Sequence, residues 1–235
     1  MKKLEKQLSK DSFKFLKELV ESWKYSWKDI EEKVKVENKQ IVWKWNLDVR
    51  ETKIKKIKAK RIEWYLDAEW VRSLEEIEVE EIWWDLNIIW TKIKKVKTKR
   101  IGWDLDAEWA EYLEYIEVEE IWWDLNIYWT RVKKVKVKRI EWDLDAECAE
   151  YLEEIEVKEV EWYLNISWTK VKRIKAKRIG WDLDAEFSEY LEEIEVEEEI
   201  WWNLNVRLTK VKRIKVKKIE WNLNIEWVES LEEID

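Results

Sequence analysis

In 235 residues the chain carries 46 Lys or Arg against 54 Asp or Glu, for a net charge of −8, with 22 Trp, two Gly, no Pro and no His. Without imidazole, His-based acid–base catalysis, Ser-His-Asp triads and His-ligated metals are excluded. The single Cys148 excludes an intramolecular disulfide and a CxxC metal site.

Residues 1–36 stand apart. Phe13, Leu16, Leu19, Val20, Trp23, Trp27 and Ile30 recur at helical spacing with Lys and Glu between them. They predict one amphipathic capping helix over about 12–33, N-capped by Asp11 or Ser12, with a short turn over 2–8 before it.

From residue 40 to 235 the chain is a repeat, read as a single folding unit with the cap. Its anchor is Trp-x-Leu-Asn/Asp, at Trp45, Trp64, Trp84, Trp103, Trp123, Trp142, Trp162, Trp181, Trp202 and Trp221, spaced by 19 to 21 residues. A stronger identity recurs every 39 residues: WDLDAEW at 103–109 returns as WDLDAEC at 142–148 and WDLDAEF at 181–187.

Inside a unit the period is two. Ile140, Trp142, Leu144 and Ala146 alternate with Glu141, Asp143, Asp145 and Glu147, a β pattern with one apolar face. The alternation places the anchor Trp inside, as a core ladder filling the interior with rings, and Cys148 in the same core column as Trp109, Trp129, Trp168 and Phe187. Adjacent polar pairs such as Lys138–Arg139 and Lys158–Glu159 fit a solenoid corner or a β-bulge. The stretch 147–154 fits one helical turn, whereas its β-branched counterpart 167–173 argues for extended chain.

Charge sets the direction of stacking. KVKVKRI at 134–140 is followed by IEVKEV at 155–160, KRIKAKRI at 172–179 and IEVEEEI at 194–200. Parallel, in-register units place Lys136 beside Glu156 and Glu156 beside Lys175, each pair contributing about 0.2–1 kcal/mol. Antiparallel units would instead gather Glu156 with Asp145 and Asp184. Hairpins would also call for Asn-Gly or Gly-rich turns, which the sequence lacks. Parallel stacking still leaves Asp85, Asp104, Asp124 and Asp143 as a like-charge column without an evident explanation. Trp83, Gly102 and Trp122 occupy one position in consecutive units, as if large rings covered a neighbouring glycine.

Near-identical units, alternating Lys and Glu faces, no proline and a helical cap resemble a de novo designed repeat protein, here an idealised parallel β-solenoid covering residues 40–235. A WD40 propeller lacks support, because its Gly-His element and turn residues are missing. The expected fold is therefore mainly β: a parallel β-solenoid of about ten units of ~19.5 residues with an N-terminal helical cap, about 45 Å long at ~4.8 Å per rung. The alternative is an antiparallel ten-stranded β-barrel with an N-terminal helix, which would suit a membrane pore.

No constellation is unique to one unit, so no catalytic, cofactor-binding or metal-binding residues are assigned and enzyme activity is not expected. The paired aspartates lack a calcium-binding glycine loop. Each basic rung lies between acidic ones, leaving no continuous phosphate-binding stripe for nucleic acid. The only surface singled out for a partner is Trp83, Ile89, Trp122 and Tyr128, apolar residues where other units carry Glu or Gly. The expected function is that of a designed structural scaffold requiring no partner, with an engineered binding surface on the flat repeat face as the alternative. Its last rung, without a cap, is expected to favour self-association through the C-terminal edge.

Overall fold

A computed structural model of the chain describes residues 1–235. Three helices rather than one form the N-terminal cap: α1 (Lys2–Gln7), α2 (Lys10–Glu21) and α3 (Trp27–Lys33). The predicted helix over 12–33 breaks because Trp23 adopts a left-handed backbone, φ 62°, and Ser26 opens a new helix through a capping box with Asp29. The N-cap of α2 is Ser9, whose hydroxyl accepts from the Ser12 amide at 3.2 Å, not Asp11 or Ser12. α2 buries Phe13, Phe15, Leu16 and Leu19 over the first rungs, and Asp11 reaches Lys58 at 3.3 Å.

One antiparallel hairpin follows, joining β1 (Val34–Glu37) to β2 (Gln40–Trp43). Its two-residue turn uses Asn38 and Lys39, both with positive φ, so the one hairpin forms without glycine. From β2 onward every pairing is parallel. The chain is a parallel β-solenoid of about ten turns, not a closed barrel, which removes the antiparallel alternative.

Each turn contributes one strand to each of two sheets. A long strand such as Lys134–Ile140 pairs in register with Glu154–Val160 on the next turn, and a two-residue strand such as Leu144–Asp145 pairs with Leu164–Asn165. The expected neighbours Lys136 and Glu156, then Glu156 and Lys175, are direct partners. The two-polar steps are irregularities within the long strand, not corners. Pairing between neighbouring long strands skips Lys138 and resumes at Arg139 opposite Glu159. The 21-residue spacing between Trp181 and Trp202 is absorbed at the same place, as a bulge between Val196 and Glu199.

The interior is aliphatic. Val135, Val137, Ile140, Leu144, Ala146, Ala149 and Leu152 point inward from one turn, and the equivalent Ile, Val, Leu and Ala do so from the others. Every second turn adds a threonine, as where the buried hydroxyl of Thr130 donates to the Ile127 carbonyl at 2.8 Å. The anchor tryptophans are not in this core. Ile140 and Leu144 are fully buried while Trp142 between them is 38% exposed, because Glu141–Asp143 form the bend joining the two sheets. A turn of about twenty residues, with its interior filled by Val, Ile, Leu and Ala, leaves no internal room for a column of indoles. Trp43, beneath the cap and edge-on to Tyr25 at 5.1 Å, is the one fully buried tryptophan.

The second bend follows the short strand. Residues 147–154 are not helical: the amide of Ala149 bonds to the Ala146 carbonyl and that of Leu152 to the Ala149 carbonyl, two consecutive tight turns. They start from a residue with left-handed backbone, here Cys148 at φ 58°. In the other turns that position holds Glu51, Trp70, Trp90, Trp109, Trp129, Trp168, Phe187, Leu208 or Trp227, all at φ between 52° and 63°. Bulky residues rarely adopt this conformation, which costs about 1–3 kcal/mol. Two features offset it: the amide still bonds to the next turn, as from Cys148 to Ser167 at 3.1 Å, and the rings stack, Trp90 on Trp109 at 5.1 Å. This column is therefore a second outer ladder, and Cys148 is a half-buried member of it rather than a spacer in the core.

Candidate functional site

The short-strand sheet and its two bends form the face where chemistry-bearing side chains gather. On one side runs the anchor ladder. Trp103, Trp123, Trp142, Trp162 and Trp181 stack at 4.9 to 5.1 Å with interplanar angles of 3° to 15°. Their faces cover one another, so the ladder shows solvent a continuous wall of indole edges. On the other side runs the ladder of left-handed residues.

Between the ladders lie two columns of Asp and Asn, and backbone amides explain both. In the first, Asp104 donates its amide to the Asp85 carboxylate at 3.2 Å, Asp124 to Asp104 at 3.0 Å, Asp143 to Asp124 at 3.0 Å and Tyr163 to Asp143 at 2.9 Å. At the bend these amides point away from the sheet, and the preceding turn's carboxylate supplies their acceptor. The like-charge column that parallel stacking left unexplained is thus a ladder of charge-assisted hydrogen bonds. In the second column each side-chain oxygen accepts from the amide two residues on, the Asx turn that starts the second bend. This bond forms at Asp48, Asp67, Asn87, Asp106, Asn126, Asp145, Asn165, Asp184, Asn205 and Asn224. Over most of its length Asp alternates with Asn, which separates the charges, and Asn165 also donates its amide nitrogen to Asp145 at 3.2 Å.

Burial pushes the carboxyls of Asp85 and Asp124 above the ordinary aspartate range, against the amide bonds that lower them, and neighbouring aspartates add to the rise. Burial does the same at Asp106 and Asp145. None of these four carboxylates has a Lys or Arg partner. Asp48 and Asp67 reach Arg50, and Glu186 reaches Arg207, but the middle of the face holds uncompensated negative charge. The long-strand face is the reverse: Lys134 meets Glu154 at 2.9 Å, Lys136 meets Glu156 at 3.3 Å and Arg173 meets Glu193 at 2.7 Å.

The four residues singled out from the sequence do not form one patch. Trp83 and Trp122, each 46% exposed, sit at the first bend, where Arg61 lies 5.0 Å from the Trp83 ring and Arg100 5.7 Å from the Trp122 ring. Ile89 and Tyr128 lie beyond the short strand at the second bend, half-buried, with Tyr128 edge-on to Trp109 and Trp129. Gly102 is needed for a backbone reason: a Cβ there would lie 2.0 Å from the Trp83 carbonyl oxygen, and one on Gly180 would lie 2.0 Å from that of Glu161, where no ring is involved.

A shallow groove of about 670 Å³ opens along the face between the anchor ladder and the Asp/Asn columns, lined among others by Asp143, Trp162, Tyr163, Trp181, Asp182 and Asp184. Sequence reasoning missed it because it depends on the tryptophans facing outward. No three His, Cys, Asp or Glu side chains converge as a metal-binding group. Burial raises the Cys148 thiol, and Glu147 and Glu150 add to the rise, disfavouring the reactive thiolate. Comparison with protein-family models, curated proteins and solved structures finds no match to this chain.

Proposed function

We propose that the chain is a designed repeat scaffold, a rod whose turns are interchangeable and which carries no enzymatic activity. The equivalence of its turns supports this most directly. The same Asx bond starts the second bend in all ten units, from Asp48 to Asn224, so every unit turns there by the same backbone device. Catalysis needs a constellation that breaks such symmetry, with one pair of groups set apart by its surroundings. Here the departures from repetition (Cys148 in an aromatic column, the bulge between Val196 and Glu199, the glycines) are scattered over separate turns and are local adjustments of backbone or side-chain size.

Interchangeable turns can be removed. Deleting residues 103–141 joins Gly102 to Trp142, keeps the 39-residue period and preserves the charge alternation. The shortened protein is expected to fold with unchanged β-sheet dichroism and to lose about 10 Å of length in small-angle scattering. Failure of this chain to fold would show that the removed turns hold something the others lack, and the scaffold proposal would fall.

A further inference from the structure

The groove along the anchor ladder combines two chemistries that rarely coincide. One wall is the edge of the stacked rings of Trp162 and Trp181, with centroids 5.1 Å apart, and the stack runs on to Trp202 at 4.4 Å, a straight apolar strip along the solenoid axis. The other carries carboxylates satisfied only by neutral donors. Asp182 accepts from the Asn203 amide at 2.7 Å and from its side chain at 2.8 Å. Asp184 accepts from the Ser167 hydroxyl at 3.1 Å, the Asn205 side chain at 3.1 Å and the Tyr163 hydroxyl at 3.5 Å. No Lys or Arg lines the groove, and Arg207, on the same face, is held by Glu186 and Glu226. Neutral donors orient these carboxylates without cancelling their charge, so the field along the ladder stays negative.

We propose that this groove binds a flat, elongated aromatic cation, lying along the axis with its ring edge-to-edge against the tryptophan wall and its positive charge over Asp182 and Asp184. Flatness is set by the shallow depth between ladder and columns. Elongation is set by the straightness of the strip, which offers about 5 Å of wall per turn over several turns. Charge excludes anions of the same shape. Sugars are disfavoured, because they stack on exposed ring faces and here the faces cover one another. The inference goes beyond the scaffold proposal and does not depend on it.

Thioflavin T, a planar benzothiazolium cation, is a direct probe, with the anion 1-anilinonaphthalene-8-sulfonate as its counterpart. Titrated into the full chain at low salt, thioflavin T is expected to give saturable fluorescence enhancement and the anion none. The variant D182N/D184N keeps an oxygen acceptor at each position, so the turns remain satisfied, and is expected to weaken thioflavin T binding at least about fivefold. W162L/W181L removes the wall and is expected to weaken it as much. D104N/D106N, higher on the same face, is expected to change it less than about twofold. Should the leucine variant lose its β-sheet dichroism, the two asparagine variants decide. Equal binding of the anion, unchanged affinity in D182N/D184N, or an equal loss in D104N/D106N would overturn the proposal.

Discussion

The two sheets of the solenoid share one interior and one parallel register, yet hold their outer residues in opposite ways. On the long-strand sheet the outward side chains are Lys, Arg and Glu, and they meet one another across rungs, as Lys97 meets Glu117 at 2.9 Å. On the short-strand sheet they are Asp and Asn, and they meet the backbone, as Asp143 meets the amide of Tyr163. A strand of seven residues can satisfy its amides within the sheet, whereas a strand of two between sharp bends cannot. Strand length therefore decides which outer chemistry the fold needs. Charge pairs are interchangeable by reversal of sign, and acceptors for bent backbone are not.

The largest expected effect concerns what the sheets have in common. Leu144 of the short strand and Ile155 of the long strand are both fully or almost fully buried. If they belong to one core, L144A and I155A should each cost about 2–5 kcal/mol in denaturant unfolding. W142A, lost from an outer stack with Trp123 and Trp162, should cost only about 1–2 kcal/mol. A larger loss for W142A than for L144A would return the tryptophans to the interior and break the comparison at its base.

A smaller effect separates the sheets. D143A leaves the Tyr163 amide without its carboxylate and should cost about 1–3 kcal/mol, whereas D143N, which still offers an oxygen, should stay within about 0.5 kcal/mol of the parent. Hydrogen exchange at Tyr163 should accelerate in the alanine variant only. Equal stability of the two variants would mean that charge, and not acceptor geometry, holds the bend.

The repeat, the parallel direction and the register were legible in the sequence because they rest on long-range identity and on charges that only one stacking order reconciles. Lys136, Glu156 and Lys175 lie where that order puts them. The facing of the tryptophans was not legible. Ile140, Trp142 and Leu144 share one parity, but parity reports a common face only along a straight strand, and a bend at Trp142 turns it outward between two inward neighbours. The left-handed column was hidden for a related reason. Glycine or asparagine normally mark such a conformation, and here Trp, Phe, Leu, Glu and Cys adopt it instead. The role of the aspartates followed from the same bend, since their partners are amides that a straight strand would have paired. The break in the cap at Trp23, 94% exposed, lies inside an apolar period that continues on both sides of it.

The smallest expected effect is also the one in which the sheets differ in sign. Lys97, by hydrogen bond and by charge, holds Glu117 of the long-strand sheet below the ordinary 4.5, so its stabilising contribution is present above pH 4.5 and fades as acid protonates it. Burial holds Asp124 of the short-strand sheet above the ordinary 3.8, so the folded state takes up a proton more readily than the unfolded chain. Its ionisation therefore disfavours folding above the raised value, and that penalty disappears below pH 3.8. Glu117 to Gln should then lower stability at pH 7, and Asp124 to Asn, which keeps the acceptor for Asp143, should raise it, each by no more than about 0.5 kcal/mol. Both differences should shrink on acidification, the first as Glu117 protonates and the second between the raised Asp124 value and 3.8. Chemical denaturation of the parent and both variants at pH 7 and at pH 3 measures the two signs. If D124N is destabilised at pH 7, the carboxylate charge helps to hold the bend, and the uncompensated face contributes to folding rather than opposing it.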